Sequence, residues 1–241
     1  VFLKCCVNGA QQRSHHPALP MSPDELARDV AMVVAAGADA VHFHAKDHAG
    51  NDTLDPDIVA AAVTAIRAQT GVAVGTTTGD WLETEPGSRL AAIAGWTVLP
   101  DFASVNWHEP GAEGIAAALL ARGVGVEAGL WHLDGARAWT ASSLRDACIR
   151  VLVELADGLD EVATVVEADR ILDLVSDAPG DPAPILLHGQ GSSAWPALRR
   201  AAELGLQGRI GLEDVLTLPD GTSAPDNAAL VTAARAVGRP L

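Results

Sequence analysis

Eight times along the chain, a short run of β-branched and apolar residues gives way to an Ala- and Leu-rich stretch with apolar residues every three or four positions. This alternation constrains the fold most. Parallel strands cannot be joined by tight hairpins and need helical crossovers, so strand-helix repetition specifies an α/β protein with a parallel sheet. The pattern predicts strands at 2–8, 39–44, 72–77, 102–106, 124–130, 149–154, 184–188 and 208–213. It predicts helices at 23–36, 56–70, 86–95, 111–122, 136–145, 160–176, 194–204 and 225–237. The length of 241 residues is close to the ~250 of one (β/α)8 barrel. An open doubly wound sheet shares the alternation, but no G-x-G-x-x-G opens a helix after the first strand, and eight short units suit closure better. The predicted fold is α/β, a single (β/α)8 TIM barrel spanning 1–241.

Local punctuation agrees with these boundaries. Ser22-Pro23-Asp24-Glu25 places a capping Ser before a Pro at the first helical position, and Asp55-Pro56-Asp57 repeats the arrangement. Gly37, Gly71, Gly95, Gly123 and Gly205 each follow an apolar run, where a left-handed C-terminal residue suits Gly.

Composition narrows the function. With 49% hydrophobic and 20% charged residues, the chain can bury a large core. A formal charge of −15 repels nucleic acid and anionic lipid, so neither is an expected partner. No apolar run reaches the ~18 residues a bilayer requires. The opening VFLKCCVNGA is too short and unflanked to read as a signal peptide. A cytoplasmic location is therefore expected. Cys5, Cys6 and Cys148 form neither a disulfide framework nor a Cys-rich zinc site and read as buried small hydrophobes.

The eight histidines carry the most chemical information. His15, His16, His42, His44, His48, His108, His132 and His188 all avoid the predicted helices and fall on or just after a predicted strand. That is the face where barrel enzymes build active sites. In Val41-His42-Phe43-His44 the two-residue period of a strand turns both imidazoles to the same side. Such a pair grips Zn²⁺, which in catalytic sites takes a third His or carboxylate and keeps one open position. Two hydrogen-bonded core histidines would give the same pattern.

Arg209-Ile210-Gly211-Leu212-Glu213-Asp214 closes the eighth strand. A carboxylate there is costly unless paired or metal-bound, which makes Glu213 the candidate third ligand and Asp214 a candidate base. Lys46 and Asp47 end the second strand; Thr77, Thr78, Gly79 and Asp80 end the third. Ser104, Asn106 and His108 end the fourth, and Glu127 lies on the fifth. Their hydroxyls and amides suit a substrate carboxylate or carbonyl, although Thr77 and Ser104 could equally be packing inside the barrel. His188-Gly189-Gln190-Gly191-Ser192-Ser193 runs into a helix, so it is either an anion cradle of backbone amides or an ordinary Gly turn.

Asn8-Gly9-Ala10, the stretch ending Ala40-Val41-His42-Phe43-His44, Thr77-Thr78-Gly79, Ser104-Val105-Asn106 and Arg209 to Asp214 occur together in this order. The set resembles the β-keto acid cleavage enzymes over nearly the whole chain, and Val237-Gly238-Arg239-Pro240-Leu241 is also similar to that family's ending. The resemblance implies a homotetrameric (β/α)8 barrel with one zinc per subunit. It implies conversion of a β-keto acid and acetyl-CoA into acetoacetate and a new CoA thioester. Carried onto matching positions, His42, His44 and Glu213 would bind zinc and Asp214 would take the α-proton. Arg209 would steady the polar partner, Thr77 would stand beside the base, and Ser104 and Asn106 would lie near the substrate carboxylate.

The chain departs from the family pattern in three places. Gln11 stands where the branch that cleaves 5-amino-3-ketohexanoate has a Glu expected to meet the ammonium, so a neutral or polar tail is predicted instead. Glu154 to Asp160 replaces a longer Gly-rich loop, and the seventh strand gains His188. A zinc-dependent aldolase, a metal-dependent hydrolase of the amidohydrolase type and a non-catalytic binding barrel with a structural metal are the competing readings. The hydrolase would place H-x-H on the first strand and use a mid-barrel Lys, whereas the lysines here are Lys4 and Lys46.

Overall fold

The computed structural model describes residues 1–82, 87–178 and 183–237. Its strands and helices alternate throughout: β1 (Leu3–Cys6), α1 (Pro23–Ala35), β2 (Ala40–Phe43), α2 (Pro56–Gln69), β3 (Ala73–Thr77), α3 (Ser88–Gly95), β4 (Phe102–Asn106) and α4 (Ala112–Ala121). The second half continues with β5 (Gly125–Leu130), α5 (Leu133–Ala141), β6 (Arg150–Leu155), α6 (Glu161–Ser176), β7 (Ile185–Gly189), α7 (Ala194–Glu203), β8 (Gln207–Ile210) and α8 (Asn227–Ala236). Each strand pairs in parallel with the next, and β8 closes on β1 with Lys4 opposite Arg209. The fold is a closed (β/α)8 barrel.

The main core lies between barrel and helices. Val41 and Phe43 of β2 face Val30 and Val33 of α1 and Val59, Val63 and Ile66 of α2, all fully buried. Each such side chain contributes about 1.5–3 kcal/mol relative to exposure. Inside the barrel the chain is unusually polar. Lys4 Nζ lies 2.5 Å from Glu127 Oε2, both side chains fully buried, and Arg150 bonds the other oxygen of Glu127.

The caps form where the sequence places them. Ser22 and Glu25 make a reciprocal capping box, and Asp55 accepts from the amides of Asp57 and Ile58. Gly37, Gly123 and Gly205 have positive φ. Gly71 and Gly95 do not: α2 ends on an extended Thr70, and Gly95 remains helical with Pro56 packed against it.

Several boundaries move. The fifth helix starts at Leu133 rather than 136 because His132 caps it, accepting from the Gly135 amide at 3.3 Å; it stops at Ala141, and 145–147 form a separate 3-10 turn. β1 ends at Cys6 rather than 8. β8 ends at Ile210 rather than 213, because residues 211–214 turn inward: the Glu213 amide donates to the Cys6 carbonyl and the Asp214 amide to Gly211. A Cβ at Gly211 would stand 1.9 Å from that Cys6 oxygen, so only Gly permits the turn. The predicted start of the third helix at 86 and the family-like ending at 238–241 lie outside the described residues. The three cysteines are free and buried, as expected.

Candidate metal centre and active-site cavity

At the C-terminal ends of the strands opens a cavity of about 320 Å³. His42, on β2, and His44, one residue beyond it, both reach its wall. Their rings meet edge to face at 5.4 Å between centroids. Glu213 arrives from the turn after β8. Its approach depends on Gly9, which has φ +52° and whose missing Cβ would stand 2.2 Å from Glu213 Cγ.

One ligand-capable atom from each of His42, His44 and Glu213 lies within 4.8 Å of the other two. His42 Nδ1 and Glu213 Oε2 are buried without any hydrogen-bond partner. Orphaned buried polar atoms are costly, and a divalent cation would satisfy them. Burial above all, with His44 and Lys4 adding to it, holds the His42 pKa well below its ordinary value, so the ring is a neutral donor. His44 Nδ1 sits 2.7 Å from Asp52 Oδ2, which leaves Nε2 as its donor. Two imidazoles and a carboxylate suit zinc.

Beside this cluster, Arg209 lines the cavity and binds Glu213 Oε1 at 2.5 Å and Asp214 through Nε and Nη2 at 2.7–3.1 Å. Burial opposes the Arg209 charge, but Asp214, Cys6 and Glu213 raise its pKa, so it stays cationic. Burial raises Asp214 to about 6 despite Arg209. Asp214 is not among the cavity-lining residues; Arg209 stands between it and the open space.

Thr77, Ser104, Asn106 and Gln11 line the cavity. Thr77 Oγ1 accepts from the Gly79 amide, leaving its own proton free to donate. Asn106 gives one N–H to Glu109 Oε1 at 2.7 Å and accepts from Trp131 Nε1 at 3.0 Å. Gln11 Oε1 is 2.7 Å from His15 Nδ1.

Other expected contacts fall elsewhere. Thr78 donates to the Ser104 carbonyl and braces two strands. Gly79 makes room for the Trp81 indole, which a Cβ would overlap at 2.0 Å. Glu127 does not reach the cavity, because Lys4 and Arg150 neutralise it deeper in the barrel. The turn at Gly189 and Gly191 is no open anion cradle. The Gly191 amide donates to the Asp214 carbonyl, and the Ser192 amide to Asp157, whose carboxylate fills the space a Gly191 side chain would need. His188 is fully buried behind Glu154 and kept neutral, chiefly by burial. His16 bonds the Ala224 carbonyl, while His108 and His132 pack against each other with tilted rings outside the cavity.

The cavity also contains Trp81, Trp131, Leu152, Glu154 and Gln190, none of which was expected to line it. Glu154 was detectable: it is an acidic residue at the C-terminal end of the apolar run Val151-Leu152-Val153, the same signal that marks Glu213.

At the C-terminal mouth of a (β/α)8 barrel, where barrel enzymes build their active sites, a His-His-Glu cluster offers three ligands and leaves a coordination position open, unlike a closed four-ligand structural site. The sequence model of the beta-keto acid cleavage enzymes matches residues 1–241. The chain belongs to the β-keto acid cleavage enzyme family. No curated protein matches it. Among solved structures, apo ObcA superimposes with a TM-score of 0.71 at 17% identity over 91% of this chain and 61% of that one. The ternary complex of ObcA with C4-CoA adduct and oxalate gives 0.69 at 19% identity, covering 91% and 63%. 3-Hexulose-6-phosphate synthase gives 0.62 at 14% identity, covering 98% and 99%. At these identities the likeness is one of fold, and the chain spans about three fifths of the ObcA length.

Proposed function

We propose that this chain is a zinc-dependent enzyme that exchanges acyl groups between a β-keto acid and acetyl-CoA, yielding acetoacetate and a new CoA thioester. The observation that carries this reading is the buried cluster of His42, His44 and Glu213 with its two unsatisfied atoms, opening on a cavity beside Arg209. Support for the substrate classes comes from ObcA, whose structures contain oxaloacetate in one complex and a C4-CoA adduct with oxalate in another. A cytoplasmic homotetramer accompanies the family resemblance.

His42, His44 and Glu213 would hold the zinc, which when bound supplies a Lewis acid that draws electron density from a keto oxygen. Asp214, with its carboxyl raised to about 6, takes the proton α to the keto group when Arg209 turns its guanidinium toward the substrate. Arg209 then balances negative charge that develops on the substrate. Thr77 donates its free hydroxyl proton beside the base. Ser104 and the uncommitted N–H of Asn106 hold the substrate carboxylate. In the net exchange, the acetyl group leaves sulfur for the substrate's α-carbon. The bond between that carbon and the keto carbon breaks, and the released acyl group takes the place on sulfur.

Zinc-loaded protein mixed with acetyl-CoA and a panel of β-keto acids should form acetoacetate and one new CoA ester in equal amounts. Failure to form either with every member of the panel would contradict the reading.

A further inference from the structure

Glu154 lies next to the C-terminal residue of β6, the strand diametrically opposite β2 in the eight-stranded ring, so it faces His42 and His44 across the cavity. Its residue is 5% exposed. Gln190 Nε2 donates to Oε1 at 2.7 Å and fixes the orientation of the carboxyl group. The other oxygen has His188 Nε2 at 3.4 Å, but neither nitrogen of that ring makes a hydrogen bond. A buried carboxyl group is thus held rigidly with one oxygen unmet, in a cavity whose adjoining wall is made by Trp131 and Leu152. The nearby polar group, Asn106, already has its oxygen committed to Trp131.

We infer that Glu154, oriented by Gln190, is a specificity residue that accepts a hydrogen bond from a hydroxyl on the tail of the β-keto acid. The inference rests on the β-keto acid reading above. A substrate whose reacting end lies at His42, His44 and Arg209 must extend its tail toward the opposite wall, where Glu154 stands. An alkyl tail would desolvate the unmet oxygen without replacing its hydrogen bond. A carboxylated tail would be repelled by Glu154. An ammonium tail would bring a full charge out of water to a carboxyl that burial, against Arg209, raises to about 7 and so leaves only partly ionised to pair with it. A hydroxyl supplies one donor without charge. Sites built to hydrogen-bond a substrate hydroxyl reject the analogue that lacks it.

The test is calorimetric titration of zinc-loaded protein, without any CoA thioester, with 3-oxohexanoate, 5-hydroxy-3-oxohexanoate and 5-amino-3-oxohexanoate. Affinity is then read without turnover. The hydroxylated acid should bind about tenfold or more tightly than the other two. E154L should abolish the preference over 3-oxohexanoate by weakening the hydroxylated acid, whereas E154Q, which retains an acceptor oxygen, should keep most of it. Equal binding of the alkyl or amino acid to the wild type would overturn the inference, and that comparison needs no variant to fold. Persistence of the preference over 3-oxohexanoate in E154L would overturn it as well. Selective binding of the hydroxylated acid with no acetoacetate formed would instead contradict only the acyl exchange.

Discussion

His44 Nδ1 lies 2.7 Å from Asp52 Oδ2, and Asp52 is in turn held by Lys46 and by Trp81 Nε1 at 3.2 Å. An ionised carboxylate can only accept, so Nδ1 carries a proton and Nε2 faces Glu213 Oε1, 3.7 Å away. Burial alone would raise the Asp52 pKa, but hydrogen bonds and charges from His44 and Lys46 outweigh it and lower it. Partners that orient a ligating His typically contribute 10- to 100-fold in metal affinity. Asp52→Ala should weaken zinc binding by about that factor in a chelator competition, while stoichiometry at saturating zinc is unchanged. Unchanged affinity would remove Asp52 from the account.

Glu127 is bound on both sides, by Lys4 and Arg150, inside the barrel. Removing one partner of a buried ion pair strands the other charge at a cost of about 3–5 kcal/mol. Glu127→Gln should lower the urea midpoint accordingly and leave the affinity for β-keto acid within about twofold. A large loss of substrate affinity in a folded variant would return Glu127 to the binding site.

Asp214→Asn keeps an acceptor for Arg209 but cannot take a proton. Removing a general base costs about 10²- to 10⁴-fold in rate. The variant should lose kcat in that range with zinc content intact. Retention of kcat would show that another group removes the α-proton.

Asp29 on α1 is buried and accepts from Asn227 Nδ2 at 2.8 Å; burial pushes its pKa to about 7 despite that bond. The unfolded value is near 3.9. Between these values the folded chain binds more protons than the unfolded one, so stability from this group is complete below about pH 4 and is lost as the pH rises through 7. Asp29→Asn should therefore gain stability relative to wild type between pH 5 and pH 8, by at most about 1.4 kcal/mol per pH unit. A gap that does not change with pH would contradict this.

The barrel was legible because its strands and helices advertise themselves by local period, and His42 and His44 because the period of a strand puts them on one side. Glu213 was legible as a carboxylate after an apolar strand, although its position on a turn was not. That turn depends on Gly211 fitting under the Cys6 carbonyl, a contact between residues far apart in sequence. The amides around Gly191 read as a cradle because nothing local reveals that Asp157, from the preceding loop, occupies it. Asp52 was invisible for a similar reason: an isolated bridge between Lys46 and Asp52 folds the loop back onto His44. Glu127 looked like a site residue because strand alternation gives a direction, inward, but not a depth along the barrel.

Zinc content measured alongside activity tests the central claim most directly. Wild-type protein should bind one zinc per chain, lose acyl exchange on chelation and regain it on zinc addition, and Glu213→Gln should lose both metal and exchange. Full exchange activity in metal-free wild-type protein, or undiminished zinc binding in a protein lacking both His42 and His44 imidazoles, would contradict the account.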